Sequence, residues 1–334
     1  MKKIIYVVCP ANVKTGGPEL LHQLVYWLNK QNQKAYIAYV GAKEAECSPT
    51  VKEFRQYVST YKKFEDIDDN SDNIVILPEV NIDKIANFSH SKIIIWWLSI
   101  DNYFNFFSLT YFIKHRNLKG IYKYFIKHYW RFSLKKLRRY PIMHMVQSYY
   151  AYDFLHNNNF KNIYYLSDYI NEDYLNGSQL NPVKRKNQVL YNPSKGIKFT
   201  KYLMSLDKSI TWIPLINLKN DEIKKLLQIS KVYVDFGEHP GKDRLPRESA
   251  IMGCCVVVGK RGSAKFYEDV AIPDKYKFIY KKSSGKNVIK LIYDIFANFD
   301  CHQKEFSYYR YKIREEPNIF LQDIKKIFNN IDEK

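Results

Sequence analysis

Apolar runs and amphipathic stretches take turns along this chain. Residues 2–10 (KKIIYVVCP) form a short, nearly continuous apolar run, the pattern of a strand covered on both faces in a parallel sheet. A glycine loop (TGG, 15–17) leads into PELLHQLVYWLNKQ (18–31). Pro18 suits a first helical turn, and Leu20, Leu21, Leu24, Trp27 and Leu28 share one helical face. Further strands are predicted over 34–40, 73–79, 91–99, 141–148 and 162–168. A polar stretch rich in Asn, Gly and Pro (169–187) interrupts the alternation, which then resumes. Strands are predicted over 187–193, 209–215, 231–236 and 254–259, and helices over 194–206, 220–230 and 246–253. Amphipathic helices over 287–299 and 318–331 close the chain. Strands spaced by helices argue for an α/β protein with parallel sheets. We therefore expect two Rossmann-like doubly wound domains facing a central cleft: 1–168, a linker over 169–186, 187–316, and a closing helix over 317–334.

Composition adds to this picture without changing it. The 334 residues suit two domains at roughly 150 residues each. No apolar run reaches the roughly 18 residues that span a bilayer, and the N-terminus reads as strand plus loop, not as a leader, so a cytoplasmic protein is expected. The five cysteines (Cys9, Cys47, Cys254, Cys255, Cys301) show no CxxC spacing and are expected as buried free thiols.

Charge does change the picture. The formal net charge is +19, which asks for an anionic partner, although an AT-rich coding bias toward Lys, Asn, Ile and Tyr would raise it too. Between 102 and 152 there is no Asp or Glu, against ten Lys and Arg (Lys114, Arg116, Lys119, Lys123, Lys127, Arg131, Lys135, Lys136, Arg138, Arg139). Aromatic residues interleave with these charges over 102–140. Three readings compete here: a helix pair lying on an anionic membrane surface, a nucleic-acid surface in which aromatics stack on bases, and a solvated helical hairpin with its aromatics turned inward. The membrane surface is the expected partner and nucleic acid is not.

The candidate chemistry lies in DFGEHPGKDRLPRESAIMG (235–253), a loop between two strand patterns that opens a helix. Helix N-termini attract anions, and glycine lets main chain approach a ligand closely. Lys242, Arg244 and Arg247 would supply charge for a diphosphate, Gly241 would give close approach, and Glu248 could accept hydrogen bonds from sugar hydroxyls. His239 in the same loop is a candidate for contact with a sugar or phosphate. No paired-carboxylate or Ser/His/Asp spacing appears, and His22, His90 and His144 are assigned no role. Gly16-Gly17 fits neither the dinucleotide GxGxxG pattern nor the phosphate loop ending in GK[ST].

The segment from 235 through the run at 254–259 resembles the donor-binding motif of GT-B glycosyltransferases, particularly the family-4-like ones of capsule and lipopolysaccharide synthesis. Glu248, Ala250, Gly253 and Val256–Val258 fall on that pattern. The resemblance implies a ribose-binding role for Glu248. The family's partner Glu would fall on Pro240; the nearest carboxylate, Glu238, is the candidate in its place. In YNPSKG (191–196), Lys195 and Gly196 match a Lys-Gly pair whose lysine neutralises the donor diphosphate, while Asn192 stands nearest the family's arginine. Gly16 and Gly17 match a glycine loop on the acceptor-side domain, and Gly262 and Ser263 a loop near the donor sugar.

The resemblance implies a glycosyltransferase, retaining and metal-independent. Lys195, Arg244, Arg247 and Glu248 would act on the donor, with no cofactor beyond the nucleotide sugar. The acceptor would be a saccharide or lipid-linked glycan, and a basic, aromatic N-terminal domain fits a peripheral enzyme at the inner face of the cell membrane. Two alternatives stay open: a GT-B nucleotide-sugar epimerase, and a non-enzymatic protein that binds membrane or nucleic acid through 102–140.

Overall fold

The structure, a computed structural model, describes residues 3–42, 48–176 and 184–332. Cys47 and residues 177–183 of the expected linker lie outside them. The chain divides into two compact units, residues 1–167 with 320–334, and residues 168–319.

The first unit contains β1 (Ile4–Pro10), α1 (Gly16–Lys30), β2 (Lys34–Val40), β3 (Tyr61–Lys63), β4 (Ile74–Pro78) and β5 (Lys92–Trp97). These are followed by α2 (Ile100–Phe107), α3 (Leu109–Lys114), α4 (Leu118–Ile126), α5 (Leu134–Leu137), β6 (Met143–Val146), α6 (Tyr149–Asn157) and β7 (Ile163–Tyr165). Its strands pair in parallel in the order β3-β2-β1-β4-β5-β6-β7. Successive strand residues face opposite sides of a sheet. Trp96 and Trp97 are nevertheless both fully buried, so the sheet is covered on both faces. That is why the strands read as apolar runs and not as alternation.

Each indole finds an acceptor: Trp96 Nε1 donates to Leu166 O at 3.1 Å and Trp97 Nε1 to His144 Nδ1 at 3.2 Å. Burial holds His144 and His22 down at about 4, so both are neutral core residues near pH 7. His22 bridges Pro18 O and the Tyr39 hydroxyl, each at 2.6 Å.

Glu79 directly follows β4 and is buried. Its carboxylate accepts the Leu98 N–H at 3.0 Å and the Asn102 amide at 3.3 Å. Burial still pushes its carboxyl up to about 7. The folded chain therefore holds a proton that the unfolded chain releases near its ordinary pKa. Stability from this group is full below about pH 4 and is lost as pH rises through about 7. The shift corresponds to about 3 kcal/mol. Melting temperatures of wild type and Glu79→Gln, taken from pH 5 to pH 8, should show a decline in the wild type that the variant flattens.

The basic stretch folds as α2 to α5, a run of short helices inserted before β6. Ser99, Ser108 and Asn117 cap α2, α3 and α4 through side-chain oxygens that accept N–H groups of the first turn. The aromatics divide. Tyr103, Phe107, Phe112 and Phe132 are buried, whereas Phe106, Tyr122 and Phe125 are exposed. At Gly120 a Cβ would press into the Phe112 ring, so α4 rests closely on α3 at that point.

The second unit contains α7 (Glu172–Asn176), β8 (Lys186–Tyr191), α8 (Ile197–Leu206), β9 (Thr211–Pro214), α9 (Asn220–Ile229) and β10 (Ser230–Asp235). After them come α10 (Arg244–Ile251), β11 (Cys255–Gly259), β12 (Lys277–Phe278), α11 (Gly285–Ala297), α12 (Phe299–Glu305) and α13 (Ser307–Asp332). The parallel sheet runs β12-β11-β10-β8-β9 around a core that includes Val189, Leu190, Val232, Val234 and Val256–Val258. The last helix begins at Ser307, eleven residues before the expected 318, and runs through Pro317. A proline removes one main-chain donor and reads as a helix end, but here the buried face formed by Tyr309, Ile313 and Glu316 carries the helix up to it. Cys9, Cys254 and Cys255 are buried free thiols, while Cys301, also expected inside, is exposed.

Candidate functional site

The second sheet places β8 between β9 and β10. The chain leaves β8 toward β9 and then builds β10, β11 and β12 on the other side. Ligands of doubly wound sheets bind outside the strands' carboxyl ends at such a reversal. The loops that leave β8 and β10 there are residues 192–196 and 236–243, the two segments singled out from the sequence.

Glycines lock these loops together. Gly196 has φ +61° and lies so close to Phe236 that a Cβ would collide with its main chain. Gly262, at φ +47° in the loop after β11, meets the carbonyls of Glu238 and His239 in the same way. Space excludes a side chain at both positions, and the left-handed φ adds strain. Ser263 completes the lock: its N–H donates to His239 O at 2.9 Å and its hydroxyl to Gly241 O at 2.6 Å. Gly262, Ser263 and Gly241 thus shape the loop from within, and Ser263 is buried. The donor-sugar contact expected of Ser263 does not fit a hydroxyl already spent on Gly241.

His239 corrects the reading in the same direction. It is fully buried, with φ +48°. Nδ1 lies 3.0 Å from Asp243 Oδ2, and Nε2 lies 3.5 Å from Asp235 Oδ1 and 3.3 Å from Asp235 O. Asp235 also accepts the Tyr233 hydroxyl at 3.0 Å and the Gly237 N–H at 2.9 Å. Asp243 Oδ1 receives Lys195 Nζ at 2.8 Å. Burial opposes charge on His239, but Asp235 and Asp243 outweigh it and raise the imidazole above its ordinary value. Burial likewise works against ionised Asp243, yet His239 and Lys195 bring it down to about 2. His239 is therefore the inner brace of the loop, and no ring atom is left at the surface for a donor.

Asp235, His239 and Asp243 are also the one group of metal-ligand types that comes together among the described residues. Tyr233, Gly237 and Lys195 already donate to its carboxylates, which gives it the chemistry of a hydrogen-bonded ion chain.

Arg247 is the largest departure. Its guanidinium is fully buried, 2.7 Å from Asp168 and 2.7 Å from Glu316, and it donates to Lys242 O at 2.7 Å. Burial penalises its charge, but Asp168 and Glu316 more than restore it and raise its pKa. Asp168 is held below the ordinary carboxylate range, because Arg247, Lys242 and Arg244 outweigh its own desolvation. Lys242 joins the network through Glu316 at 2.8 Å. Two of the three cations expected on a diphosphate are thus committed to carboxylates inside the unit. The sequence pattern assigns no role to Asp168, Glu316, Asp235 or Asp243. Asp168 and Glu316 are 79 and 69 positions from Arg247, and no local pattern links them. A glutamate on the buried face of α13 was the one available signal.

Nearer the carboxyl edge lie Lys195, paired with Asp243 and with its side chain about one-third exposed, and Arg244, half-buried at the first position of α10. Glu248, one turn further on, is buried beside Tyr174, whose phenol is raised by burial and then by the Glu248 charge. Asn192 forms the turn before Lys195: its side chain accepts the Ser194 N–H at 2.9 Å and its carbonyl the Lys195 N–H at 3.2 Å. Glu238 is exposed and pairs with Arg261. Gly16 and Gly17 belong to the first unit, as the opening residues of α1 after β1.

No family model matches the chain, and no curated protein matches its sequence. Solved structures do. A glycosyltransferase from Rickettsia africae superposes with a TM-score of 0.62 at 15% identity, over 99% of this chain and 98% of that one. The chain has the GT-B fold. Anabaena Alr3699/HepE in complex with UDP-glucose superposes at 0.61 with 9% identity, covering 98% of this GT-B chain and 99% of its own. WaaG, a glycosyltransferase involved in lipopolysaccharide biosynthesis, superposes at 0.55 with 10% identity over 96% and 99%. These likenesses span the chain end to end, so both units belong to the GT-B architecture expected from the sequence.

Proposed function

We propose that the chain is a glycosyltransferase that moves a sugar from a nucleotide donor to a saccharide or lipid-linked glycan. The observation that carries this reading is the pairing of the Lys195 loop with the 236–243 loop at the strand-order reversal of the second sheet. An anion there would meet the Lys195 ammonium and the N-terminal turn of α10, where Arg244 sits. Charge developing on a leaving diphosphate would be met by groups already in position, the usual source of most of the rate enhancement in such reactions. Glu248 is the carboxylate for ribose or sugar hydroxyls. The family resemblance supports retention of anomeric configuration, and fixed cations and helix N–H groups would take a metal's part. Cell-surface polysaccharide synthesis is the setting that WaaG suggests, and the UDP-glucose bound to HepE makes uracil the base to try first.

A thermal-shift series with UDP, GDP, CMP and dTDP sugars tests the proposal. A donor at a hundred times its Kd stabilises the folded chain by about 2.7 kcal/mol. One base should therefore raise the melting temperature, and Lys195→Ala should abolish the rise. No shift with any of the four would end the reading.

A further inference from the structure

We propose that α3 and α4 form a docking face for an anionic lipid bilayer. Three observations converge on it. First, α4 carries two different exposed rows. Leu118, Tyr122 and Phe125, at i, i+4 and i+7, share one stripe, and each is more than half exposed, Leu118 at 77%. Lys119, Lys123 and Lys127 form the row beside it, all exposed. Second, this is not the helix's packing face. The core side is taken by Gly120, seated on the buried Phe112 ring, so the apolar row is surplus to what holds the helices in place. Ile113 near the end of α3 and Ile126 at the end of α4 are exposed apolar residues as well. Third, the charge is of one sign. Lys114 and Arg116 add to the lysine row, and no carboxylate occurs between 102 and 152.

An apolar row flanked by a cation row needs a partner with an apolar phase under an anionic surface. A bilayer with acidic headgroups has both: side chains such as Leu and Phe enter the acyl boundary while lysine stems reach back to the phosphates. Nucleic acid offers the anions, but bases stack on rings, and Leu118, Ile113 and Ile126 have none. An acidic protein surface would leave the apolar row without a matching phase. No helix among the described residues is long and apolar enough to cross a membrane, so contact through this face would be peripheral.

The test uses the full chain and sedimentation with extruded vesicles, either phosphatidylcholine alone or phosphatidylcholine mixed with phosphatidylglycerol. Wild type should pellet with the mixed vesicles and stay in solution with the neutral ones, and salt should weaken the binding. Leu118→Ser with Phe125→Ser, and separately Lys119→Glu with Lys123→Glu, should each lower the partition by more than about tenfold. All four side chains are exposed, so melting temperatures should stay near wild type; a variant that melts early is replaced by Ile126→Ser alone, read the same way. No binding to the mixed vesicles would overturn the proposal, as would binding that the Leu118/Phe125 variant leaves intact. Binding to a single-stranded oligonucleotide without vesicle binding, or a dimer in sedimentation velocity that the same variant dissolves, would assign the face to a nucleic acid or to a second copy. Vesicle binding is read without any sugar donor, so it stands or falls apart from the transferase reading.

Discussion

Arg247→Met is expected to destabilise the protein by roughly 3–5 kcal/mol, the usual result of breaking a buried ion pair from one side. At about 2–4 °C per kcal/mol for a unit of this size, the melting temperature should fall on the order of 10 °C. The asymmetry of the network is the reason. Glu316 would keep Lys242 as a partner, but Asp168 would be left as a fully buried carboxylate stripped of its nearest cation. The pH dependence should shift as well. In wild type the pKa of Asp168 is depressed, so its contribution is present above the ordinary carboxylate range and is lost as pH falls through the depressed value. In the variant only Lys242 and Arg244 would offset burial, so that pKa should lie higher than in wild type, and melts from pH 4 to pH 8 should show the acid-side loss beginning at a higher pH. Asp168→Asn added to Arg247→Met should recover part of the loss. Thermal melts across that range, with donor turnover measured well below the transition, separate this role from a place on the diphosphate. A diphosphate role would cost turnover and leave the melt where it was.

Lys195→Ala should do the opposite. Its ion pair with Asp243 is partly exposed, and pairs of that kind contribute about 0–1 kcal/mol. His239 would still brace Asp243 from the other side, so the loop should keep its shape and the melt should move little. If the Lys195 ammonium meets the departing diphosphate, kcat/KM should fall by about a hundred- to a thousandfold, the effect of deleting one fixed stabiliser of developing charge. Arg244→Ala belongs in the same assay as a smaller companion. Turnover that survives Lys195→Ala unchanged would remove the proposed chemistry from this edge of the sheet.

Most strands were legible because a doubly covered parallel sheet leaves almost no polar position in them: Lys34–Val40 coincides with its apolar run, and Cys255–Gly259 lies within one residue of its own. The elements that escaped are those without a buried pattern. Tyr61–Lys63 is a three-residue edge strand with two lysines, and Lys277–Phe278 is two residues long. The place of the candidate site was equally legible, since glycines, a helix start and a strand end are local signals. The division of labour among its charges was not. Whether a cation is free for a ligand or committed to a carboxylate depends on partners such as Asp168 and Glu316 that only the fold brings near. The loop's sequence shows Lys242, Arg244, Arg247 and His239 as equals, whereas the fold buries Arg247 and His239 completely and ties Lys242 to Glu316, and leaves Arg244 half-buried at the start of α10.

The glycine contacts around loop 236–241 bear on how the protein can be re-engineered. Because Gly196 and Gly262 touch that loop with no room for a methyl group, its shape is a joint property of three segments far apart in the chain. Transplanting residues 236–243 alone into another scaffold would carry the charges across without the seat that aims them. A graft that hopes to keep Lys195 in register has to move 192–196 and 260–263 with it.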